Sequence, residues 1–593
     1  MDANSAEAQV HLIQSIDYDI EVLEQSILAL KHRRNAVVPI SRLPPEGLAI
    51  VFSFLSPPEC DEEVYYQTLI RATHVCRYWR ETALNYPTLW SHIDLFKLRQ
   101  AGIAEILVRA RMVPLHLEVS TPYLSKAQFD IFKRQLDVHI PHTRQISLSG
   151  RSQALLERCV SSAPVLESLL VSDSLYPSGF IIQNTLFNGT APKLTHLTLI
   201  GGAIRWNSPL LKGLRVLLIM KPPKGARPTL EAWLDALNEM FQLEVLTLDS
   251  ASPIKPSGGA HILEPRRTVT LPSLIRFGIC ASAEDCALAL AHLALPVLTS
   301  LFVGVQSHNH GGNDIGLLIP HVARNAHGPQ DIRPLQTMAL SGGDNLVKIY
   351  AWADPGTNIK RHELTKMTSL ARVVFTFPAT NQGLHLDALL TQFPTNALST
   401  LAIDGLVGLS KEFWLRHASH LSTLKQVHLD SNAVGGFRDM LAEDSPENGQ
   451  RFPILKSLIL TDVRLTALRT YRLCDMLTER MVQGVPLEAL DLRTCFAAAH
   501  AIKLLAEAVR DVYGPAKTLE TGDSPCFIWR MPYFNWKGGV EFFNEEEKRI
   551  EDDNFEFWIE DTDSGEDDEY GDEDEDEEGD EEDEDEEDEE DYW

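Results

Sequence analysis

Leu243-Glu244-Val245-Leu246-Thr247-Leu248 is the stretch that sets the architecture of most of this chain. Leu246 and Leu248 alternate around Thr247, as a short strand with one buried face requires. Leu243 stands three residues earlier, which gives L-x-x-φ-x-φ with φ apolar. The spacing recurs at Leu166/Leu169/Val171, Leu194/Leu197/Leu199, Leu214/Leu217/Ile219, Leu274/Phe277/Ile279, Leu298/Leu301/Val303 and Leu335/Met338/Leu340. It continues through Leu370/Val373/Phe375, Leu398/Leu401/Ile403, Leu424/Val427/Leu429, Leu455/Leu458/Leu460 and Leu487/Leu490/Leu492, with a degenerate unit at Thr143/Ile146/Leu148. The eleven steps from Leu166 to Leu487 average near 29 residues and range from 20 to 37.

Helical patterns fill several gaps: Thr229–Phe241, Ala283–Leu293 and Leu465–Met481. One strand and one helix each bury a single face, so the units must stack into a continuous core, with parallel strands lining a concave surface. The pattern resembles a leucine-rich repeat in an irregular form, which implies an α/β solenoid (horseshoe). A doubly wound α/β domain with coincidental leucines is the competing architecture. Ser250–Arg267 and Gln306–Pro334 are dense in proline and glycine and read as irregular loops, either facing a ligand or inert.

Upstream, residues 40–95 read ISRLPPEGLAIVFSFLSPPECDEEVYYQTLIRATHVCRYWRETALNYPTLWSHIDL. Leu43, Leu48, Val51, Phe52 and Leu55 recur at helical spacing behind Pro44 and Pro45, which suit a helix entry. A second helical segment places Leu69, Ala72, Val75, Cys76 and Trp79 on one face. Two helices in about forty residues leave apolar surface that calls for a partner. The ordered blocks Leu43-Pro44-Pro45-Glu46, Val75-Cys76-Arg77-Tyr78-Trp79-Arg80 and Pro87-Thr88-Leu89-Trp90 strongly resemble the F-box motif of fungal, basidiomycete-type F-box proteins. The resemblance implies docking onto the Skp-type adaptor, and through it a cullin, of a ubiquitin ligase. It carries the adaptor-binding role to Leu43, Pro44, Pro45, Leu48, Val51, Phe52, Leu55, Val75, Cys76 and Trp79. Gly47 departs from the family, which usually has a bulky aliphatic there.

Ile13, Ile16, Ile20, Leu23, Ile27 and Leu30 are spaced 3,4,3,4,3, a heptad seam of about two and a half repeats. The helix folds back on the F-box-like segment, remains loosely ordered, or self-associates; all three readings stay open. The domain reading is an amphipathic helix at 1–36, an F-box at 38–96, a linker at 97–140 and repeats at 141–515. An aromatic cap at 516–544 and a disordered acidic tail at 545–593 complete it.

Charge is distributed unevenly. Of 84 acids and 53 bases, 33 and 2 lie in residues 545–593, so the remainder holds 51 of each. The body has no basic bias toward nucleic acid, and the tail, with the unbroken acidic run Asp580–Asp591, has too little apolar content for a core. That tail reads as a solubilising brush or as bait for basic proteins. Ser564, inside Asp561-Thr562-Asp563-Ser564-Gly565-Glu566, suits acid-directed kinases. The acidic start without an apolar run predicts no signal peptide, and no stretch approaches a membrane span, so the expectation is a cytoplasmic or nuclear protein.

Eight scattered cysteines form no CxxC pair, which fits free thiols. No phosphate loop, nucleophile elbow or metal helix is present in the sequence, and His308 and His310 read as a solvated loop. The reading is therefore a non-catalytic receptor with no cofactor, holding a protein substrate on its repeats. Asn188-Gly189-Thr190 matches a glycosylation sequon and reads as a turn. The alternatives are a non-degradative repeat scaffold and an acidic-tailed chaperone of basic proteins.

Overall fold

The computed structural model describes residues 3–55, 62–94, 100–120, 136–150, 152–173, 179–255, 267–296, 299–306, 315–327, 334–343, 345–353, 371–442 and 451–514, with Lys126 and Phe129. The expectations for the aromatic cap, the acidic tail, Ser564, His308 and His310 fall outside them.

The amino-terminal part is helical: α1 (Ala3–Ala36), α2 (Pro45–Ser53), α3 (Glu62–Thr73) and α4 (Arg77–Asn85). Among the described residues a seventeen-stranded sheet follows. Its strands are β1 (His92–Asp94), β2 (Leu115–Ser120), β3 (Thr143–Ser149), β4 (Ser168–Ser172), β5 (His196–Ile200) and β6 (Val216–Met220). Next come β7 (Val245–Asp249), β8 (Arg276–Ala281), β9 (Ser300–Val305), β10 (Thr337–Gly343), β11 (Leu346–Trp352) and β12 (Val373–Pro378). β13 (Thr400–Asp404), β14 (Gln426–Asp430), β15 (Ser457–Leu465), β16 (Ala489–Ala497) and β17 (Asp511–Tyr513) complete it.

The repeat leucines form continuous ladders. Leu169 aligns with Leu197, then Leu217, Leu246, Phe277 and Leu301 across parallel strands. Met338, Leu401, Val427, Leu458 and Leu490 do the same farther along. These side chains are buried in one core, together with the leading Leu166, Leu194, Leu214 and Leu243. Thr229, Ser282 and Thr466 cap the helices Leu230–Asn238, Ala283–Ala291 and Ala467–Val482, each accepting a hydrogen bond from the third residue on.

Four features differ from the sequence reading. The sheet starts at His92, so the stretch 97–140 contains a helix (Gln100–Ala110) and β2 rather than only a linker. The interval Gln306–Pro334 contains the helix Ile315–His327, whose Ile315, Leu318, Ile319, Val322, Ala323 and Ala326 are buried. β11 is an additional strand, antiparallel to both neighbours. Finally, the units do not lie in chain order: β12 pairs with β9 and β10 with β13, giving β9-β12-β11-β10-β13. β11 is antiparallel to both β10 and β12, which leaves those two strands parallel to the rest of the sheet. The Asn188-Gly189-Thr190 site does lie in a turn, where Phe187, Asn188 and Gly189 all have positive φ.

Candidate adaptor-docking site

The entry to α2 is extended backbone. Leu43 and Pro44 have φ near −65° and ψ of 137° and 157°, and Pro45 occupies the first helical turn, where a missing N–H costs nothing. Glu46 lies in that same turn, favourably placed against the helix dipole. Leu43, Pro44 and Pro45 are exposed. The Tyr78 hydroxyl of α4 donates to the Leu43 carbonyl at 2.6 Å, which ties this entry to the second half of the module.

α2 is apolar on two sides. Leu48, Ala49 and Phe52 face inward, and Phe52 meets the Trp79 ring edge-on at 5.2 Å. The opposite side carries Gly47, Ile50, Val51 and Phe54 at i, i+3, i+4 and i+7, which places them on one helical face. Ile50 and Phe54 are 54% and 78% exposed, and Val51 is exposed beside them. At the α3–α4 junction, Val75 is exposed and Cys76 and Trp79 are half-buried. Arg80 donates its Nε–H to the Thr73 carbonyl at 3.1 Å, which holds that junction closed.

The inward side is anchored to the sheet. Trp90 is buried, donates its indole N–H to the Ala83 carbonyl at 2.7 Å and lies 4.9 Å beneath the Arg109 guanidinium. Leu89, Trp90 and Ile93 belong to the same core as the sheet, and the His116 amide donates to the Ser91 carbonyl at 2.8 Å.

Of the ten residues assigned to adaptor contact from sequence, the structure leaves eight reachable. Leu43, Pro44, Pro45, Val51 and Val75 are exposed, while Leu55, Cys76 and Trp79 are half-buried. Leu48 and Phe52 are different. Both have no exposed surface, so they form the module's interior. Ile50 and Phe54, which the sequence reading does not name, are exposed on the same face as Val51. Their signal was the second apolar stripe on a nine-residue helix.

The surface offers shape and apolar area. Among the described residues no group of three or more His, Cys, Asp or Glu is placed to hold a metal. The buried Cys159 and Cys495 thiols are pushed up by burial to about 12 and about 11, and burial raises Cys280 and Cys286 further, so none is poised as a thiolate. No helix among the described residues is long and apolar enough to cross a membrane.

Residues 40–96 match the F-box-like family model. The chain therefore carries an F-box-like domain, a type of module that typically docks Skp-type adaptors and is itself non-catalytic. No curated protein matches the chain.

Proposed function

We propose that this protein is the substrate-receptor subunit of a Skp-cullin-F-box ubiquitin ligase, cytoplasmic or nuclear. The observation that carries the reading is the outward stripe Gly47/Ile50/Val51/Phe54 on a helix whose other side is already filled by Leu48 and Phe52. A helix needs only one apolar side to hold its own fold, so the second is surface for another polypeptide. The large, mostly parallel sheet, with its leucine ladders, supports reading residues 141–515 as an irregular leucine-rich-repeat solenoid that holds a protein substrate. The contribution to ubiquitination is proximity. A substrate lysine held near the conjugating enzyme reacts at high effective concentration, and the receptor supplies no reacting group.

The test is capture of a purified Skp-type adaptor by the full chain. Leu43→Ala combined with Val51→Asp alters exposed side chains alone, so the fold is retained while capture falls at least tenfold. Unchanged capture by that variant removes this face as the docking surface.

A further inference from the structure

α1 is a 34-residue helix, and from Val10 to Arg34 every residue along it is exposed. It does not fold back on the F-box-like module: Ile13, Ile16, Ile20, Leu23, Ile27 and Leu30 each keep 47% to 63% of their surface. An apolar stripe of this length does not stay in water when a complementary surface exists.

We propose that α1 pairs with α1 of a second copy of this chain as a parallel two-stranded coiled coil. The alternating steps of three and four give a period of 3.5 residues, which keeps the stripe facing an identical one along its whole length. A helix meant for the curved surface of its own domain carries a wider stripe at 3.6. The residue types specify strand number and direction. Ile13, Ile20 and Ile27 occupy the first core position of each heptad, and Leu23 and Leu30 follow Ile16 at the second. Isoleucine first and leucine second favours two parallel strands. Twelve half-exposed aliphatic side chains, with the flanking stems of Leu12, Lys31 and Arg33, bury on the order of 1,000 Å², near the lower limit for a specific interface. Association is therefore in the micromolar range and concentration-dependent.

The flanking charges give the pairing a signature. In parallel register Asp19 lies against Glu24 of the partner subunit, a like-charge contact repeated on the other side. Salt screens it, so dimerisation strengthens as ionic strength rises, opposite to an interface held by ion pairs. The assembly carries two F-box-like modules, hence two adaptor-docking faces.

Sedimentation equilibrium on the full chain reads the outcome directly. The expected result is a monomer–dimer equilibrium that tightens with salt, is lost in Ile20→Asp/Leu23→Asp, and tightens roughly fivefold in Asp19→Lys. Neither site touches the core, so the variants fold. Ile20→Cys should cross-link to itself under mild oxidation, whereas Ser15→Cys on the outer side should not. A monomer at every concentration, or a dimer that survives Ile20→Asp/Leu23→Asp, overturns the proposal. A dimer with no Ile20→Cys cross-link overturns the parallel register. Adaptor capture by the monomeric variant is unchanged in each case, which separates this inference from the function proposed above.

Discussion

The Tyr78 hydroxyl and the Leu43 carbonyl, thirty-five residues apart, are joined by a 2.6 Å hydrogen bond. It is a cross-brace between α4 and the proline entry of α2, and it holds Leu43, Pro44 and Pro45 in the extended course that exposes them. Tyr78→Phe keeps the ring packing and removes only the donor. The expected loss is about 1 kcal/mol of stability at most, since the bond is water-exposed. Adaptor affinity falls a few-fold through a looser entry. Urea unfolding and calorimetric titration with the adaptor measure the two effects separately.

Gly47 gives a prediction of opposite sign. A Cβ built there meets only the Pro44 ring, at 3.6 and 3.7 Å, which is ordinary contact. Helix interiors favour alanine over glycine by roughly 0.5–1 kcal/mol. Gly47→Ala should therefore stabilise the module by about that amount, seen as a higher urea midpoint with unchanged slope. A destabilised variant would show that the added methyl crowds the Pro44 ring.

Phe52 and Phe54 separate stability from docking. Phe52 is fully buried against Trp79, so Phe52→Ala should cost about 3–5 kcal/mol. Phe54 is mostly in water, so Phe54→Ala should change stability by about 0.5 kcal/mol or less. Its effect belongs in adaptor capture, with a loss of roughly tenfold or more. Equal stability costs for the two variants would refute the two-sided description of α2.

This division also marks what sequence reasoning reaches. Alternation told which strand residues face the core, and Leu246, Leu248 and their counterparts do face it. It carried no information about which strand lies beside which, so the exchange of β10 and β12 was invisible. β11, Leu346–Trp352, is apolar at every position but Lys348 and has no leucine three residues ahead of its first apolar position, so it lacks the full motif. The helix Ile315–His327 has an ideal apolar stripe, but Pro320 disguised it. That proline is on the exposed side, where its missing N–H is least costly. On α2 the obstacle was excess signal. Apolar residues surround the helix, so spacing alone did not say whether Leu48 and Phe52 or Ile50 and Phe54 face outward.

His428 sets an acid limit on the sheet. It lies between Ala402 and Ile459 in register, on the strand face opposite Val427 and Leu429, and is 7% exposed. Burial lowers its pKa to about 4, although the Asp491 carboxylate pulls in the other direction. Among the described residues its Nε2 has no hydrogen-bond partner, so only the weaker pull of Asp491 favours the protonated ring. The unfolded chain titrates near 6.5. Above that pH the ring is neutral in both states and contributes no slope. Between 6.5 and about 4 the unfolded chain takes up a proton that the folded one refuses, so stability falls with pH; below about 4 the loss is complete. The full span is worth about 3 kcal/mol at most. His428→Phe is neutral throughout, so its unfolding free energy should lose this slope between pH 6.5 and 4 while keeping contributions from other groups such as His92, also lowered to about 4. Parallel stability curves for the two proteins across that window would show that His428 is protonated at little cost in the folded sheet.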